Sequence, residues 1–536
     1  MRILVAAFVC AASANGASAQ AQAPQPIHPE ALQPIHTEAL QPIQADALQP
    51  IHLVILHTND IHGQVQTRKA TWLSKESPPD IGGLARLAAK VAEQRVTEPA
   101  AIVVDAGDWY QGTPEGALDR GLPFVQALAL VGFDAMCVGN HEFDHGIANL
   151  ARIVLGAKVP AILANVRATA EGERLPWAKP WIIVERAGVR VALVGLLTTV
   201  TPEITHVETR ALAFANCAEE LRRARAEIGD KADLIVPVGH ISVEEARELA
   251  KFEPGLPLIV SGHSHTYLKQ GLRAGETLIV QAGSKASALG RVDLWLDPGT
   301  FAVVRTEARL IDLIEEPGDP LLTLPWVAAV SRACLELISR ASADLETVVG
   351  ELEEPLQRAP VAGCSPPGLW IADALRERMG ADIGVHNRGG TRCDLEAGPL
   401  TRRDLFELLP FDNEIVALEL SGAQLESAVR RSIEGTTHTG LDFSGLKLFV
   451  RRQTDRSLRL LRIEIGSKAL DPKLTYRVAT NSFLANGGDG LAEFQAATTR
   501  VVDPALMREA LEAHVAKSPR VRMPRNFSER FAEEGP

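Results

Sequence analysis

The chain has 536 residues, of which 46% are hydrophobic and 23% are charged. This length exceeds one ordinary hydrophobic core, so the composition predicts a globular protein with two domains. The formal net charge of -12, which no Lys/Arg-rich run offsets, argues against general nucleic-acid binding. We therefore expect no nucleic-acid partner.

Residues 1–19 are typical of a secretory signal peptide. Arg2 precedes the apolar run Ile3 to Ala12, and Ala17-Ser18-Ala19 forms a small-residue cleavage site before Gln20. The apolar run is too short to span a bilayer, and no later stretch approaches ~20 uninterrupted apolar residues, so we expect no stable membrane insertion. The sequence predicts a secreted product, periplasmic if the host is Gram-negative.

Residues 20–52 contain an eight-residue repeat, which reads QPIHPEAL, QPIHTEAL and QPIQADAL before a final QPIH. Every repeat carries at least one proline, and no sustained helical face runs through them. This pattern favours an extended, flexible linker over a packed solenoid.

The cysteines offer limited information. Without Cys10, which lies in the signal peptide, the remaining cysteines are Cys137, Cys217, Cys334, Cys364 and Cys393. Cys364 and Cys393 flank one predicted unit and are the best candidates for a disulfide in an exported protein. Cys137 lies inside an apolar run and is predicted to be a small buried side chain. Since no C-x-x-C occurs, a thiolate metal site is not expected.

From residue 53 to about residue 310, short apolar runs alternate with helix-like segments such as Leu84–Glu98 and Ala218–Ile228. This alternation predicts an α/β fold with helices packed on the faces of a sheet. In such folds, ligands bind beyond the carboxyl ends of the strands. The predicted strands are Leu53–Leu56, Ala101–Val104, Ala135–Val138, Ala161–Leu163, Val189–Gly195, Leu234–Val238, Leu258–Val260 and Leu278–Val280.

Polar side chains follow five of these runs. They are Asp60 and His62 after the first run, then Asp108, then Asn140, His141 and Asp144, then His240, and finally His263 and His265. Carboxylate, amide and imidazole groups without thiolate suit Zn²⁺, Mn²⁺, Co²⁺ or Fe. Two such ions roughly 3.5–4 Å apart would acidify a water and stabilise the attacking and leaving oxygens of an in-line displacement at phosphorus.

Residues 311–345 contain Pro317 and Pro320 and then the helical stretch Trp326–Ser342. They are predicted to connect the two domains. Residues 346–525 form a second α/β pattern, in which helices are predicted at Gly368–Met379 and Ala423–Ile433. A Gly-rich loop, Asn387 to Arg392, and the loop Asn481 to Gly490 follow strand-like runs.

These residues carry a family resemblance. The motifs HTNDIHG at 57–63, GDWYQGT at 107–113, GNHEFDHG at 139–146, GH at 239–240 and GHSHT at 262–266 resemble, in order, those of the calcineurin-type metallophosphoesterases. Their form is similar to that of the 5′-nucleotidase and UDP-sugar hydrolase family, whose C-terminal substrate-binding domain the second region resembles. The resemblance covers most of residues 53–525.

The resemblance implies an α/β fold of the α+β sandwich type. A four-layer metallophosphoesterase domain, 53–310, would be joined through the linker and connecting helix at 311–345 to a second, smaller α/β substrate-binding domain at 346–525.

The resemblance also implies roles at the metal site. One ion would be held by the residues that match Asp60, His62, Asp108 and His265, and the other by those that match Asp108, Asn140, His240 and His263. His141 matches a catalytic histidine that stabilises charge on the phosphoryl group or the leaving oxygen, and Asp144 matches the carboxylate that orients it. On this interpretation Glu142, between them, is dispensable.

A second set of matches concerns the substrate. Phe411 and Phe483 match two aromatic residues that enclose a nucleobase, Asn387 and Asp489 match polar contacts to base and ribose, and Arg392 matches an arginine that reaches phosphate. Gly390 would let the backbone approach the substrate closely. The segment 363–367 lacks an arginine that the family often carries there, and Arg388, where glycine is more usual, is a candidate to compensate for it.

We therefore predict an exported hydrolase with two divalent metal ions, which releases phosphate from nucleoside 5′-monophosphates by attack of metal-activated water. Hydrolysis of UDP-sugars or nucleoside diphosphates, or of 2′,3′-cyclic nucleotides, is the alternative on the same scaffold. A non-catalytic periplasmic nucleotide-binding protein is a remote alternative, because a binding protein has no need of the His141–Asp144 pair.

Overall fold

The computed structural model describes residues 49–534, except 71, 75, 169–171, 315–322, 342–343, 361–362, 436–439 and 523–529. The predicted signal peptide and the repeats up to Leu48 lie outside the described residues, as does part of the predicted connector. Among the helices described, none is long and apolar enough to cross a membrane.

The N-terminal domain, residues 49–314, alternates strands and helices. Its strands are β1 (Ile51–Thr58), β2 (Arg68–Lys69), β3 (Asp80–Ile81), β4 (Ile102–Asp105), β5 (Ala135–Cys137), β6 (Ala161–Ile162), β7 (Val166–Arg167), β8 (Trp181–Arg186), β9 (Val189–Leu197), β10 (Ala213–Phe214), β11 (Leu234–His240), β12 (Leu258–Ser261), β13 (Leu272–Ala274), β14 (Thr277–Val280), β15 (Ala288–Leu296) and β16 (Val303–Asp312). Its helices are α1 (Leu84–Thr97), α2 (Pro114–Ala117), α3 (Leu122–Ala129), α4 (Ile147–Ala157), α5 (Thr201–Ile204), α6 (Cys217–Ile228) and α7 (Val243–Phe252).

Two six-stranded sheets form the centre of this domain, in the orders β16-β15-β1-β4-β5-β6 and β13-β14-β12-β11-β9-β8. The strands β1, β4, β5 and β6 are parallel to one another, as are β9, β11, β12 and β14. All eight predicted strands are confirmed. They are the parallel strands, and being buried on both faces they appear in the sequence as continuous apolar runs.

The hydrophobic cores account for the layering. Side chains such as Ile55, Val104, Val191 and Val238 from both sheets form one core. The outer face of the first sheet packs against α1, α3 and α4, and that of the second against α6 and α7. The order helix, sheet, sheet, helix confirms the predicted four-layer sandwich.

The helix α8 (Pro325–Arg340) follows the N-terminal domain and corresponds to the predicted connecting helix. Its apolar face, which includes Val327, Val330 and Leu337, is buried in the same core as α1 and α3. The helix is therefore attached to the N-terminal domain.

The C-terminal domain contains the strands β17 (Val348–Leu352), β18 (Ile383–Asn387), β19 (Gly398–Thr401), β20 (Glu414–Ser421), β21 (Leu441–Ser444), β22 (Leu446–Arg452), β23 (Leu458–Ile465), β24 (Lys468–Ala469), β25 (Thr475–Asn481), β26 (Arg500–Leu506), β27 (Arg520–Val521) and β28 (Phe531–Glu533). Its helices are α9 (Pro366–Met379), α10 (Arg402–Leu408), α11 (Gly422–Ile433), α12 (Ser482–Ala485), α13 (Ala492–Gln495) and α14 (Met507–Lys517). A five-stranded sheet, β21-β18-β25-β20-β26, carries helices and two smaller sheets around it, β19-β17-β27 and β24-β23-β22-β28. The predicted second α/β domain is confirmed.

The predicted disulfide is wrong. Cys137, Cys217, Cys334, Cys364 and Cys393 are all free thiols. Cys364 belongs to one hydrophobic core of the C-terminal domain, and Cys393 packs against the other. Two cysteines that flank the same unit in the sequence need not have their side chains close together in the fold. Cys137 is buried, as predicted.

Candidate active site

The carboxyl ends of parallel strands from both sheets converge at one edge of the sandwich. The loops after β1, β4 and β12 carry residues with positive φ: 52° at Asp60, 51° at His62, 61° at Asp108, 68° at His263 and 53° at His265. Residues other than glycine rarely adopt this conformation because it is strained. Strain of this kind is concentrated at functional sites, where the surrounding structure enforces it. Five of the seven predicted metal ligands therefore lie in strained backbone.

Six of these seven side chains lie close together. The Nε2 atom of His265 is 3.2 Å from Oδ1 of Asp60 and 3.0 Å from Nε2 of His62. The Nε2 atom of His240 is 3.2 Å from Oδ2 of Asp108 and 3.1 Å from Oδ1 of Asn140. The carboxylate of Asp108 also lies 3.8 Å from Nε2 of His62, so it stands between the two groups.

His263 is the seventh. Its backbone N–H donates to Oδ2 of Asp60 at 3.0 Å, and its ring meets the ring of His240 edge to face at 5.2 Å. The structure therefore places His263 beside His240 without bringing its ring nitrogens to the two carboxylates.

The donor atoms fit divalent cations. Nδ1 of His62 lies 2.8 Å from the carbonyl of Gln111, and Nδ1 of His240 lies 2.8 Å from the carbonyl of Ala106. A carbonyl only accepts, so each Nδ1 carries the proton, and in the neutral ring each Nε2 offers a lone pair to the centre. Oδ1 of Asp60 is buried without a hydrogen-bond partner. Lone pairs that converge in this way are satisfied by a metal ion.

The electrostatics of the site agree with this fit. Burial lowers the pKa of His263 to about 4 and that of His62 well below its usual value, which keeps both rings neutral. Burial also lowers the pKa of His240, but the carboxylate of Asp108 outweighs it and raises that pKa to about 10. The raised pKa of His240 shows that the carboxylate of Asp108 makes this site attractive to positive charge.

His141 and Asp144 form a hydrogen-bonded pair beside the cluster. Nδ1 of His141 donates to Oδ2 of Asp144 at 2.7 Å, and the other oxygen of Asp144 accepts from the hydroxyl of Thr205 at 2.8 Å. Nε2 of His141 lies 3.9 Å from Oδ2 of Asp108. Both oxygens of Asp144 are engaged, so the ring is held with Nε2 towards the carboxylates. Thr205 lies outside all the motifs and was therefore not among the predicted site residues.

Glu142 is not dispensable. Its carboxylate is fully buried and accepts three backbone N–H groups, from Asp108 at 2.9 Å, Trp109 at 2.7 Å and Gly139 at 2.7 Å. These bonds join the loop after β4 to the loop after β5. A Cβ atom at Gly139 would lie 2.2 Å from Oδ1 of Asp108, so only glycine allows the two loops to come this close.

All six predicted substrate residues line one cleft between the domains. The cleft has a volume of about 500 Å³. The six predicted residues in its lining are Asn387, Gly390, Arg392, Phe411, Phe483 and Asp489, and Asn140, His141, Asp144 and His263 line it as well. Nη2 of Arg392 lies 3.4 Å from Nε2 of His62, and its guanidinium lies 5.6 Å from the ring centre of Phe411. The cleft therefore runs from the metal-type cluster to the aromatic side chains.

Arg388 does not compensate for the missing arginine. Its guanidinium pairs with the buried carboxylate of Asp442 at 3.1 Å and donates to the carbonyl of Gly363 at 2.6 Å. It is also absent from the lining of the cleft among the residues described. The side chain holds the C-terminal domain together, so that expectation is wrong.

Direct contacts between the domains complete the cleft. Nε2 of Gln111 donates to the carbonyl of Pro410 at 2.9 Å, so the residue that orients His62 also contacts the C-terminal domain. Arg210 donates to the carbonyl of Asn486 at 2.8 Å. Arg403 pairs with the buried Glu115 at 2.7 Å. Pairs this far apart in the chain leave no signal in the sequence, although Gln111 lies within one of the motifs.

Comparison with known proteins agrees with this architecture. The calcineurin-like phosphoesterase family matches residues 53–267, and the 5′-nucleotidase C-terminal domain matches residues 348–499. The chain therefore contains a calcineurin-like phosphoesterase domain followed by a 5′-nucleotidase C-terminal domain. These matches indicate a metal-dependent phosphoester hydrolase, and the donor set described above is the part of the chain that suits divalent metal ions.

Several known proteins are similar to this one over most of its length. UshA of Escherichia coli (strain K12) is 27% identical over 87% of this chain and 91% of UshA. The endonuclease YhcR of Bacillus subtilis (strain 168) is 28% identical over 86% of this chain, which spans only 39% of YhcR. The crystal structure of a 5′-nucleotidase precursor from Thermus thermophilus is 28% identical, covers 90% of this chain and 99% of its own, and superimposes with a TM-score of 0.80.

Proposed function

We propose that this protein is a 5′-nucleotidase with two divalent metal ions, which releases phosphate from nucleoside 5′-monophosphates. The observation that carries the proposal is the stacking of His141 on Phe411, with ring centres 5.4 Å apart and planes inclined by 17°. A residue of the hydrolytic cluster and a residue suited to nucleobase stacking thereby line the same cleft. A nucleotide presents a phosphate and a base at the two ends of one molecule.

The metal ligands are assigned as the sequence predicts. One ion would be held by Asp60, His62, Asp108 and His265, and the other by Asp108, Asn140, His240 and His263. The distances among these side chains, apart from that of His263, support the assignment. Zn²⁺, Mn²⁺ and Co²⁺ all suit carboxylate, amide and imidazole ligands. Bound ions of this kind lower the pKa of water and offset negative charge on a phosphoryl group.

His141 stabilises the charge that develops during phosphoryl transfer. Asp144 holds the proton on Nδ1, so Nε2 is the atom that meets the phosphoryl group or the leaving oxygen. Thr205 keeps the carboxylate of Asp144 from turning away. A group held in place before the reaction begins requires no reorganisation as charge develops, which is the source of its catalytic effect.

The C-terminal domain binds the nucleoside. Phe411 and Phe483 supply aromatic faces for the base, Asn387 and Asp489 supply polar groups for base and ribose, and Arg392 lies between Phe411 and the metal cluster, where phosphate would sit. Base stacking tolerates different bases because every base has an aromatic face. The backbone at Gly390 approaches the substrate without a side chain.

The remaining assignments rest on the sequence. We propose the domain division 53–310, 311–345 and 346–525, with export directed by residues 1–19 and a flexible tether at 20–52. A small-molecule nucleotide is the proposed partner, and nucleic acid is not. Export is tested by the N-terminal sequence of the mature protein in the native host; a chain that keeps Arg2 contradicts it.

The decisive experiment is a phosphate-release assay on purified protein with Mn²⁺, Zn²⁺ or Co²⁺ added in turn. The substrates are AMP, UMP, ADP, ATP, UDP-glucose and 2′,3′-cyclic AMP. We expect AMP and UMP to be hydrolysed with the highest kcat/KM. Preference for UDP-glucose or for the cyclic nucleotide would instead support the alternatives on this scaffold. Absence of release from every nucleotide, with bound metal verified by elemental analysis, would overturn the proposal.

A further inference from the structure

Two consecutive hydrogen bonds set the orientation of an amide at the wall of the cleft. Asn481 is the last residue of β25 and caps α12, and its Oδ1 atom accepts the backbone N–H of Leu484 at 2.8 Å. An N–H group can only donate, so the atom of Asn481 that faces Leu484 is its oxygen. The amide nitrogen of Asn481 therefore faces the other way, 3.0 Å from Oδ1 of Asn387.

The second bond decides which atom Asn387 presents to the cleft. Because Asn481 donates, the atom of Asn387 that it meets is the amide oxygen. Among the described residues, Nδ2 of Asn387 has no hydrogen-bond partner, and it is not one of the buried polar atoms that lack one. Asn387 lines the cleft, so its NH₂ group is open to the bound molecule.

This orientation is enforced. Both amides are almost completely buried, with 5% of Asn387 and 1% of Asn481 exposed. Turning the Asn387 amide over would bring its NH₂ group against that of Asn481, and the Asn481 donor would lose its acceptor. A Cβ atom at Gly390 would lie 3.0 Å from Oδ1 of Asn387, so a side chain at position 390 would crowd the amide.

We infer that Asn481 is a positioning residue for nucleobase selection. It holds Asn387 with its NH₂ group towards the base, so the cleft selects bases that present a ring nitrogen or carbonyl oxygen at that edge. A base with an N–H group there leaves two opposed donors unpaired in a buried site, which a site built for hydrogen bonding rejects. The inference rests on the proposed nucleotidase function and names a feature of its substrate.

Deaza analogues of AMP provide the first test. In 1-deaza-, 3-deaza- and 7-deaza-AMP a C–H group replaces one ring nitrogen while the shape of the base is retained. We expect one of the three to show a kcat/KM roughly tenfold below that of AMP, the value of one hydrogen bond, and the other two to resemble AMP. Equal hydrolysis of AMP and all three analogues would overturn the inference.

The variant Asn481→Asp distinguishes a positioning role of Asn481 from a purely structural one. Aspartate still accepts the N–H of Leu484, but it offers an acceptor to Asn387 in place of a donor. The Asn387 amide then turns over and presents its oxygen to the base. The penalty for the affected deaza analogue should vanish, and bases with an N–H group at that edge should gain relative to AMP.

Two further variants complete the design. Asn387→Asp presents an acceptor to the base while leaving the Asn481 cap intact, so it should produce the same change of preference even if Asn481→Asp folds poorly. Asn481→Ala removes both bonds and should lower kcat/KM for all analogues alike. The inference would be contradicted if both aspartate variants kept the wild-type order of kcat/KM among AMP and its deaza analogues.

Binding separates this inference from the proposed function. Calorimetric titration with adenosine and the three deaza-adenosines reports the preference without turnover. If AMP is not hydrolysed but one deaza-adenosine binds roughly tenfold more weakly than adenosine, the proposed function fails and the inference stands. If AMP is hydrolysed and all four nucleosides bind equally, the inference fails and the function stands.

Discussion

The imidazole of His141 and the phenyl ring of Phe411 stack across the two domains, with their centres 5.4 Å apart. Nδ1 of His141 is fixed by its hydrogen bond to Asp144. The aromatic residue suited to holding a base therefore also borders the residue suited to phosphoryl transfer. In the proposed function, this contact couples binding of the nucleoside to alignment of its phosphate.

Replacement of Phe411 should distinguish nucleotides from small phosphate esters. Stacking of a base on an aromatic side chain contributes about 1–3 kcal/mol, so Phe411→Ala should raise KM for AMP by roughly 10- to 100-fold. Hydrolysis of p-nitrophenyl phosphate should change much less. Phe406→Ala is the matched control, because Phe406 contacts Arg508 and does not line the cleft. Equal losses on both substrates would show that Phe411 acts only on folding.

Two variants should separate metal binding from chemistry. Asp108→Ala removes the carboxylate between the two groups of ligands, so the purified protein should lose most of its metal and its activity. His141→Asn should retain the metal content of the wild type while kcat falls by about 10²–10⁴. Elemental analysis and steady-state kinetics provide the measurements. Loss of metal from His141→Asn would contradict the assigned role of this histidine.

Glu142 should prove essential for folding. Glu142→Ala leaves three buried N–H groups without an acceptor, and each unsatisfied group costs about 1–3 kcal/mol. We therefore expect a large drop in Tm and loss of activity. Glu248→Ala is the control, because the Glu248 side chain is 57% exposed on α7. An unchanged Tm for Glu142→Ala would show that the loops after β4 and β5 are held by other contacts.

Stability should fall in mild acid because of His386. Burial lowers the pKa of His386 to about 3, so the folded protein keeps this ring neutral while the unfolded chain binds a proton below its ordinary pKa of 6.5. The contribution to stability is complete above pH 6.5 and decreases as the pH falls. Between pH 7 and pH 5 the loss from this group is about 2 kcal/mol.

Urea denaturation at pH 7, 6 and 5 measures this effect. His386→Gln cannot titrate and can still hydrogen-bond to the hydroxyl of Thr391, which His386 contacts at 3.0 Å. The variant should therefore lose less stability than the wild type between pH 7 and pH 5. Parallel losses in the two proteins would assign the acid sensitivity to other groups.

Much of the N-terminal domain was predictable because its central strands are parallel. Buried on both faces, they appear as apolar runs such as Leu258–Val260. The antiparallel strands β8, β13, β15 and β16 of the two sheets were missed. In β16 exposed and half-buried residues mix along its length, and such a pattern is harder to recognise than a continuous run.

The sequence alone determined the order and chemistry of the candidate ligands, because each follows a recognisable strand and its residue type dictates what it can bind. Only the tertiary structure decided which atoms meet. It placed Glu142 against three backbone N–H groups, turned Arg388 towards Asp442, and left Cys364 and Cys393 apart. It also brought His141 to Phe411 and Asn481 to Asn387. Such contacts join residues far apart in the chain, and they depend on strand register and on how the two domains pack.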